Sequence, residues 1–171
     1  MKKLYLLGFF FLMCITTSFA QKYAYVDTDY ILGKLPSYVA AQEQLDKLSQ
    51  KYQKEVETLH SELDQIYKDF QAEVVLLSND MKRKREEQIV NKEKEYKKLQ
   101  RQYFGPEGDL AKKREALVKP IQDDVFNAIQ TIAEQGAYSM IFDKSGSLTM
   151  IYTNPKFDLS DLVLQKLGYK N

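Results

Sequence analysis

Few side chains in this sequence are of the types that catalyse reactions, and their spacing keeps them apart. The one histidine, His60, lies in a long charged helical pattern beside Leu59, and the one cysteine is Cys14. Metal sites need several ligands held together, and a nucleophile needs a base beside it. The adjacent Asp123 and Asp124 would point in different directions on a helix. The sequence therefore predicts a non-enzymatic protein with no metal and no other cofactor.

Two neighbouring stretches are better suited to binding. The first is apolar and consists of Val74, Val75, Leu76, Leu77 and, after a polar break, Met81. These residues could make weak, non-directional contacts with apolar segments of another chain, and packing within a helical hairpin is the alternative. The second is the cationic run Lys82, Arg83, Lys84 and Arg85. It could contact anionic lipid or lipopolysaccharide, although such runs are more often solvated helix faces. Because the chain is predicted to be exported, nucleic acid is not an expected partner.

The first 20 residues have the pattern of a secretory signal peptide. Lys2 and Lys3 precede an apolar run over residues 4–15, and the segment ends in the small-residue site "SFA". The run is shorter than the roughly 20 residues that span a membrane. A lipid anchor at Cys14 is an alternative, and the bulky residues before that cysteine disfavour it. The sequence predicts export to the periplasm with cleavage after Ala20.

Cleavage would leave 151 residues, enough for one domain, with no cysteine and therefore no disulfide. Because Lys2 and Lys3 leave with the signal peptide, 25 basic residues become 23, against 24 acidic residues, which gives a net charge of −1. The distribution is uneven. Residues 82–101 contain nine Lys or Arg and four Glu, a local net charge of +5.

The middle of the chain has the period of two long amphipathic helices. Between Ser37 and Leu77 there is no Gly or Pro, and apolar residues recur every three or four positions. This stripe consists of Leu45, Leu48, Tyr52, Val56, Leu59, Leu63, Ile66, Phe70, Val74 and Leu77. A sparser stripe resumes at Met81 and continues to Gly136. Narrow stripes need a partner helix, so residues 37–136 are predicted to form an antiparallel hairpin with its tip near residues 74–85. The "GPEG" at 105–108 predicts a kink or short loop in the second limb.

The two ends of the mature chain are predicted to form a β-rich body, from residues 21–36 and 137–171. Residues 23–27 form a predicted strand, residues 138–143 and 148–153 a predicted β-hairpin, and a short helix closes the chain. Three short strands cannot close into a sheet without open edges, and pairing with other copies of the chain would protect those edges. The body residues assigned to oligomerisation are Ala24, Val26, Met140, Phe142, Met150 and Tyr152. The predicted fold is α+β, a long helical hairpin on a small β body that closes by oligomerisation.

The segments "YAYVDTDYIL", "YSMIFDKSGSLTMIYTNP" and "DLSDLVLQKLG", together with the charged hairpin between them, resemble the OmpH/Skp family of periplasmic chaperones. "KLQRQYFGPEGDL" and "NPKFDLSDLVLQKLGY" are similar to the branch found in Bacteroidetes-type bacteria. The resemblance implies a homotrimer whose strands assemble a small barrel and whose helical arms enclose a cavity. It also implies an activity without ATP, the holding of unfolded outer-membrane proteins. Enterobacterial members are strongly basic, whereas this mature chain is near neutral.

Two hypotheses follow from these expectations. The first is an ATP-independent periplasmic holdase that binds unfolded outer-membrane proteins between its arms and prevents their aggregation. The alternative is a structural cell-envelope adaptor whose hairpin docks one dedicated partner. Known hairpin adaptors usually carry such helices within larger β domains, which a chain of this length lacks.

Overall fold

The computed structural model of the chain describes residues 21–146 and 150–169. Strand β1 (Lys22–Val26) and helix α1 (Thr28–Lys34) precede three long helices, α2 (Pro36–Glu73), α3 (Asn79–Phe104) and α4 (Asp109–Gly136). Strand β2 (Tyr138–Asp143), a 3-10 helix (Pro155–Phe157) and helix α5 (Ser160–Lys166) follow. The predicted α+β class, with long helices and a small sheet, is confirmed. The predicted signal peptide, residues 1–20, lies outside the described residues.

The long helices form a narrow projection, the arm, in which α2 packs against α3 and then α4. Helices α2 and α3 are antiparallel. Near the tip, Glu73 of α2 contacts Arg85 of α3, and further from the tip Tyr52 of α2 contacts Tyr103 of α3. Every member of the predicted first stripe is buried or half-buried. The helix itself ends at Glu73, four residues before the predicted end at Leu77, and residues 74–76 form a turn.

The predicted interruption at 105–108 is a tight loop between α3 and α4. The Gly105 backbone N–H donates to the Arg101 carbonyl at 2.9 Å, and the Gly108 N–H donates to the Gly105 carbonyl at 2.9 Å. A Cβ at Gly105 would lie 2.3 Å from the Arg101 carbonyl oxygen, so the loop can close this tightly only with glycine there. In contrast, α4 continues through Pro120.

The sheet has two strands in the described residues, and they are parallel: Ala24 pairs with Ile141 and Val26 with Asp143. Parallel strands need a crossover connection, which the arm supplies. Residues 150–153, part of the predicted second strand of the β-hairpin, form no strand and do not pair with β2, so the predicted β-hairpin is wrong for the described part of the chain. After β2 the Lys144 N–H donates to the Val26 carbonyl at 2.8 Å, and the Asp143 carboxylate accepts from the Ser145 N–H at 3.0 Å. The first bond fastens the turn to the end of β1, and the second lies within the turn itself.

The second strand of that hairpin was predicted at residues 148–153. Residues 148 and 149 lie outside the described residues, and residues 150–153 have no strand assignment. Ile151 and Tyr152 are strongly exposed. Among the described residues, 150–153 therefore have no sheet partner.

The hydrophobic core lies at one end of the molecule, the base, where β1, α1, α5 and the end of α4 meet. It consists of Ala24, Val26, Ile31, Leu32, Leu35, Val125, Ala128, Ile132, Leu159, Val163 and Leu164. One polar group is enclosed with it. The Ser160 hydroxyl accepts from the Asp27 N–H at 2.9 Å and donates to Asp158 at 2.5 Å, so the buried hydroxyl has a partner both as donor and as acceptor.

Candidate functional site

The tip of the arm exposes two adjacent aliphatic side chains. The turn closes with a hydrogen bond from the Leu76 N–H to the Glu73 carbonyl at 2.9 Å. This conformation leaves Val75 86% and Leu76 87% exposed, whereas Val74 and Leu77 are half-buried at the end of the stripe. Large apolar side chains this exposed, at the end of a projection, are available to another molecule. Of the five apolar tip residues predicted to bind, Val75, Leu76 and the 53% exposed Met81 are the accessible ones.

The four predicted cations lie in the first two turns of α3. Ser78 begins this helix, and its side chain accepts from the Met81 N–H at 3.4 Å. Arg83 lies 3.4 Å from Asp80, and Arg85 lies 3.2 Å from Glu73 on the opposite limb. Arg85 therefore fastens the tip. Of these four cations, Lys82 and Lys84 form no ion pair with any described acidic side chain.

Below the tip, polar contacts join the two limbs beside the apolar stripe. The Lys92 ammonium lies 2.7 Å from Glu62 of α2, and the hydrogen bond to that carboxylate raises the Lys92 pKa. The Tyr67 hydroxyl donates to Glu93, which raises the Tyr67 pKa. These side chains are partly or fully exposed, so each contact adds little stability and mainly fixes the register of the limbs.

Aromatic side chains pack between α2 and α3 in the half of the arm that is further from the tip. Tyr52 of α2 stacks on Tyr103 of α3 with ring centroids 3.9 Å apart and planes 7° apart. The Tyr103 hydroxyl donates to Glu55, and this hydrogen bond raises the pKa of Tyr103 to about 12. His60, the one histidine, packs edge-on against Tyr96 with a centroid distance of 5.3 Å. His60 therefore has a packing role in the hairpin and lies 3.3 Å from Asp64.

The loop at 105–108 forms one side of an open hollow in the surface of the arm. Side chains of α3, the loop and the first turn of α4 line it, and most of the charged ones are cations. Sequence reasoning identified the +5 charge of residues 82–101 but not this hollow. The signal was present in the i, i+4 and i+7 spacing of Lys94, Lys98 and Arg101, which places them on one helix face.

The base presents a second apolar surface. Met140 and Phe142 of β2 are about half exposed, and Tyr152 is strongly exposed. These residues, together with Tyr23 and the half-buried Met150, surround a hollow of about 680 Å³. Two of the six residues assigned to oligomerisation, Ala24 and Val26, lie instead in the core of this chain. Tyr23 lines the same hollow, and the sequence analysis missed it because its side chain does not contrast with those of its neighbours in sequence.

No described helix is both long and apolar enough to cross a membrane. In the same part of the chain, no group of three or more His, Cys, Asp or Glu side chains is arranged to hold a metal ion.

Comparison with known proteins identifies the family. The family model described as "Outer membrane protein (OmpH-like)" matches residues 22–167, which is nearly the whole described chain. The chain belongs to the OmpH-like family. The match includes β1, the arm, β2 and α5, so the family assignment covers the base and the hairpin together.

Two other proteins are similar to this OmpH-like chain. An uncharacterized protein of Aquifex aeolicus is 29% identical over 161 residues, which cover 93% of this chain and 94% of that protein. A crystal structure from Caulobacter crescentus, of a protein described as an OmpH-like outer membrane chaperone, superposes with a TM-score of 0.64. It covers 86% of this chain and 83% of the other at 14% identity, a level at which the likeness shows the fold.

Proposed function

We propose that this OmpH-like protein is an ATP-independent holdase chaperone of the periplasm, which binds unfolded outer-membrane proteins and prevents their aggregation. The observation that carries the proposal is the arm itself. A helical hairpin with few buried residues projects from a compact base. It ends in Val75 and Leu76, two aliphatic side chains that are almost wholly exposed to solvent. Family membership and the Caulobacter crescentus chaperone with the same fold support it. Export would require the predicted signal peptide, with cleavage after Ala20.

The proposed assembly is a homotrimer joined through the base. One edge of β1 is partly covered by the residues before α5, since the Leu159 N–H donates to the Tyr25 carbonyl at 2.9 Å. The outer edge of β2 has no strand partner in the described residues. Exposed strand edges are usually protected by pairing. The exposed apolar residues Met140, Phe142 and Tyr152 would then be covered by neighbouring copies, together with Met150.

Clients would be held in the space between three arms by many weak contacts. Full burial of one Val or Leu side chain contributes about 1.5–3 kcal/mol, so the exposed pair at one tip gives a modest affinity. Three linked arms raise the effective concentration of such contacts and so provide avidity. Weak contacts also form and break independently, which suits clients that have no common structure. Lys82 and Lys84 would supply contacts to anionic groups, with anionic lipid or lipopolysaccharide as a second class of ligand.

Light scattering by a urea-unfolded β-barrel protein diluted into buffer tests the holding activity. With the processed protein, residues 21–171, we expect suppression of aggregation at about one trimer per client and no effect of added ATP. Serum albumin at equal mass is the control for crowding. Unchanged scattering at excess trimer would end the proposal.

Two further measurements separate the holdase from the adaptor. The solution mass of the processed protein, measured with and without client, is expected to be three times the chain mass and then to rise by one client. Pull-down from envelope extracts is expected to recover several unrelated outer-membrane proteins. Recovery of one fixed partner, with no suppression of aggregation, would favour the adaptor.

A further inference from the structure

A basic hollow lies at the side of the arm where α3 ends and α4 begins. Its volume is about 920 Å³, and it opens directly to solvent. The cations that line it are Lys94, Lys97, Lys98, Arg101 and Lys112. The first four come from one face of α3, and the last comes from α4, across the Gly105–Gly108 loop. The loop therefore brings cations from two helices around one concave surface.

The positive charge of the basic hollow is largely uncompensated. Lys97 lies 3.9 Å from Glu93, but no ion pair within residues 21–146 and 150–169 involves the other four cations. Two acidic residues, Glu107 and Asp109, also line the hollow, and Asp109 accepts a hydrogen bond from Gln102 at 3.3 Å. Five cations and two carboxylates leave a net charge of about +3 in the hollow. Clustered like charges repel one another, so an anionic partner would relieve an unfavourable arrangement.

We propose that the basic hollow binds acidic segments of unfolded polypeptide, and this inference rests on the proposed chaperone function. Four of its five cations are lysines, whose flexible ammonium groups can follow carboxylates in many positions, whereas a fixed phosphate site favours the forked guanidinium of arginine. Glu107 and Asp109 also repel a phosphate dianion more strongly than single carboxylates. The aliphatic stems of the lysines add apolar surface that accepts the rest of an extended peptide.

The position of the basic hollow gives the arm two kinds of contact. Lys94 and Arg101 follow the first residue of α3, Asn79, by 15 and 22 positions, so the α3 cations of the hollow lie about 22–33 Å along the helix from the tip at 1.5 Å per residue. The tip offers aliphatic side chains and the hollow offers charge. An extended peptide needs roughly 7–10 residues to reach from one to the other. A client with an apolar cluster and an acidic cluster at this separation would engage both on a single arm.

Fluorescence anisotropy of labelled peptides tests the inference with the full processed protein. The probe is an unstructured 12-residue peptide that contains four Glu or Asp, and its uncharged counterpart carries Gln and Asn instead. The test variant is Lys94→Gln with Lys98→Gln. The matched control is Lys47→Gln with Lys68→Gln, two exposed lysines of α2 outside the hollow. We expect the test variant to weaken binding of the acidic peptide about fivefold, with less than twofold change in the control.

Salt dependence and competing ligands complete the test. Binding of the acidic peptide should weaken as salt rises, and the uncharged peptide should bind weakly throughout. Equal losses in both variants, or no loss in the test variant, would overturn the inference. So would binding of inorganic pyrophosphate or phosphatidylglycerol vesicles that the test variant weakens more than it weakens binding of the acidic peptide, since the hollow would then be a site for those anions.

The aggregation assay keeps this inference distinct from the proposed function. For a client without acidic clusters, the test variant should suppress aggregation as well as the wild-type protein does. Retained suppression with weaker peptide binding supports the inference. If the wild-type protein suppresses no aggregation, the proposed function fails, whatever the peptide measurements show.

Discussion

The base and the arm of this protein use opposite balances of apolar and charged contacts. In the base, eleven buried apolar residues form a single cluster. In the arm, between residues 50 and 108, the buried hydrophobic residues are Leu59, Leu63 and Ile89. The remaining contacts there are half-buried apolar pairs, stacked rings and exposed ion pairs. The base therefore provides most of the free energy of unfolding, and the arm is less stable because more of its apolar surface is exposed.

The largest test of this contrast replaces one isoleucine in each region. Ile31 in α1 is 0% exposed and packs in the core, so Ile31→Ala should lower the free energy of unfolding by about 2–5 kcal/mol. Ile66 in α2 is half-buried, and Ile66→Ala should cost only about 1 kcal/mol. Urea denaturation followed by circular dichroism measures both. Equal losses would mean that the arm is as tightly packed as the base.

A smaller effect is expected at the loop within the arm. The alanine Cβ in Gly105→Ala would meet the Arg101 carbonyl at 2.3 Å, so the loop must open, at a cost of about 1–3 kcal/mol. The control is Gly33→Ala in α1, where nothing lies within 4 Å and the helix should gain about 0.5–1 kcal/mol. Thermal unfolding compares the two. If Gly105→Ala did not lower the melting temperature, the tight loop geometry would be contradicted. Gly33→Ala shows whether a Gly→Ala change at an uncrowded helical position behaves as expected.

The next effect depends on pH and concerns the join between β2 and α1. Burial raises the pKa of the Asp143 carboxyl, but hydrogen bonds from Thr28 and Ser145 outweigh it, so the pKa lies below its usual value. The Thr28 hydroxyl donates to Asp143 at 2.6 Å. A depressed pKa stabilises the fold above the unfolded-state pKa of about 4, and this contribution is lost as pH falls through the folded-state value.

Asp143→Asn should therefore cost about 1 kcal/mol at neutral pH. Its deficit relative to the wild-type protein should shrink as the pH falls below about 4. Urea denaturation at a series of pH values measures the difference between the two proteins. A deficit that is constant across that range would show that the charge of Asp143 does not act in this join.

Sequence periodicity predicted the arm well because its contacts are repetitive. Residues such as Leu45, Leu59 and Leu63 recur at helical spacing, and a helix with one stripe must place that stripe against its neighbour. The loop at 105–108 was also predictable from its two glycines and its proline, since Gly and Pro interrupt helices. Local pattern and tertiary structure agree in this region.

The base was harder to predict because its pairing is set by contacts far apart in the chain. Residues 138–143 could pair locally with 148–153 or with β1, more than 110 residues earlier, and the alternating pattern is the same for both. The choice follows from the Lys144 bond to the Val26 carbonyl and from the burial of Ala24 and Val26 under α4 and α5. The basic hollow was missed for a similar reason. Lys112 joins Lys94 and Lys98 only through the path of the loop.

The smallest effect on stability is expected at the tip, where the consequence for binding should be large. Val75→Ser with Leu76→Ser removes two side chains that pack against little, so the free energy of unfolding should change by less than about 0.5 kcal/mol. Retention of an unfolded client, measured by its dissociation rate from the protein, should weaken because the exposed apolar surface is lost. The matched control is Val74→Ser with Leu77→Ser, since these half-buried residues should cost stability instead. If the first pair destabilised the protein and left retention unchanged, Val75 and Leu76 would be packing residues and the tip would not be a binding surface.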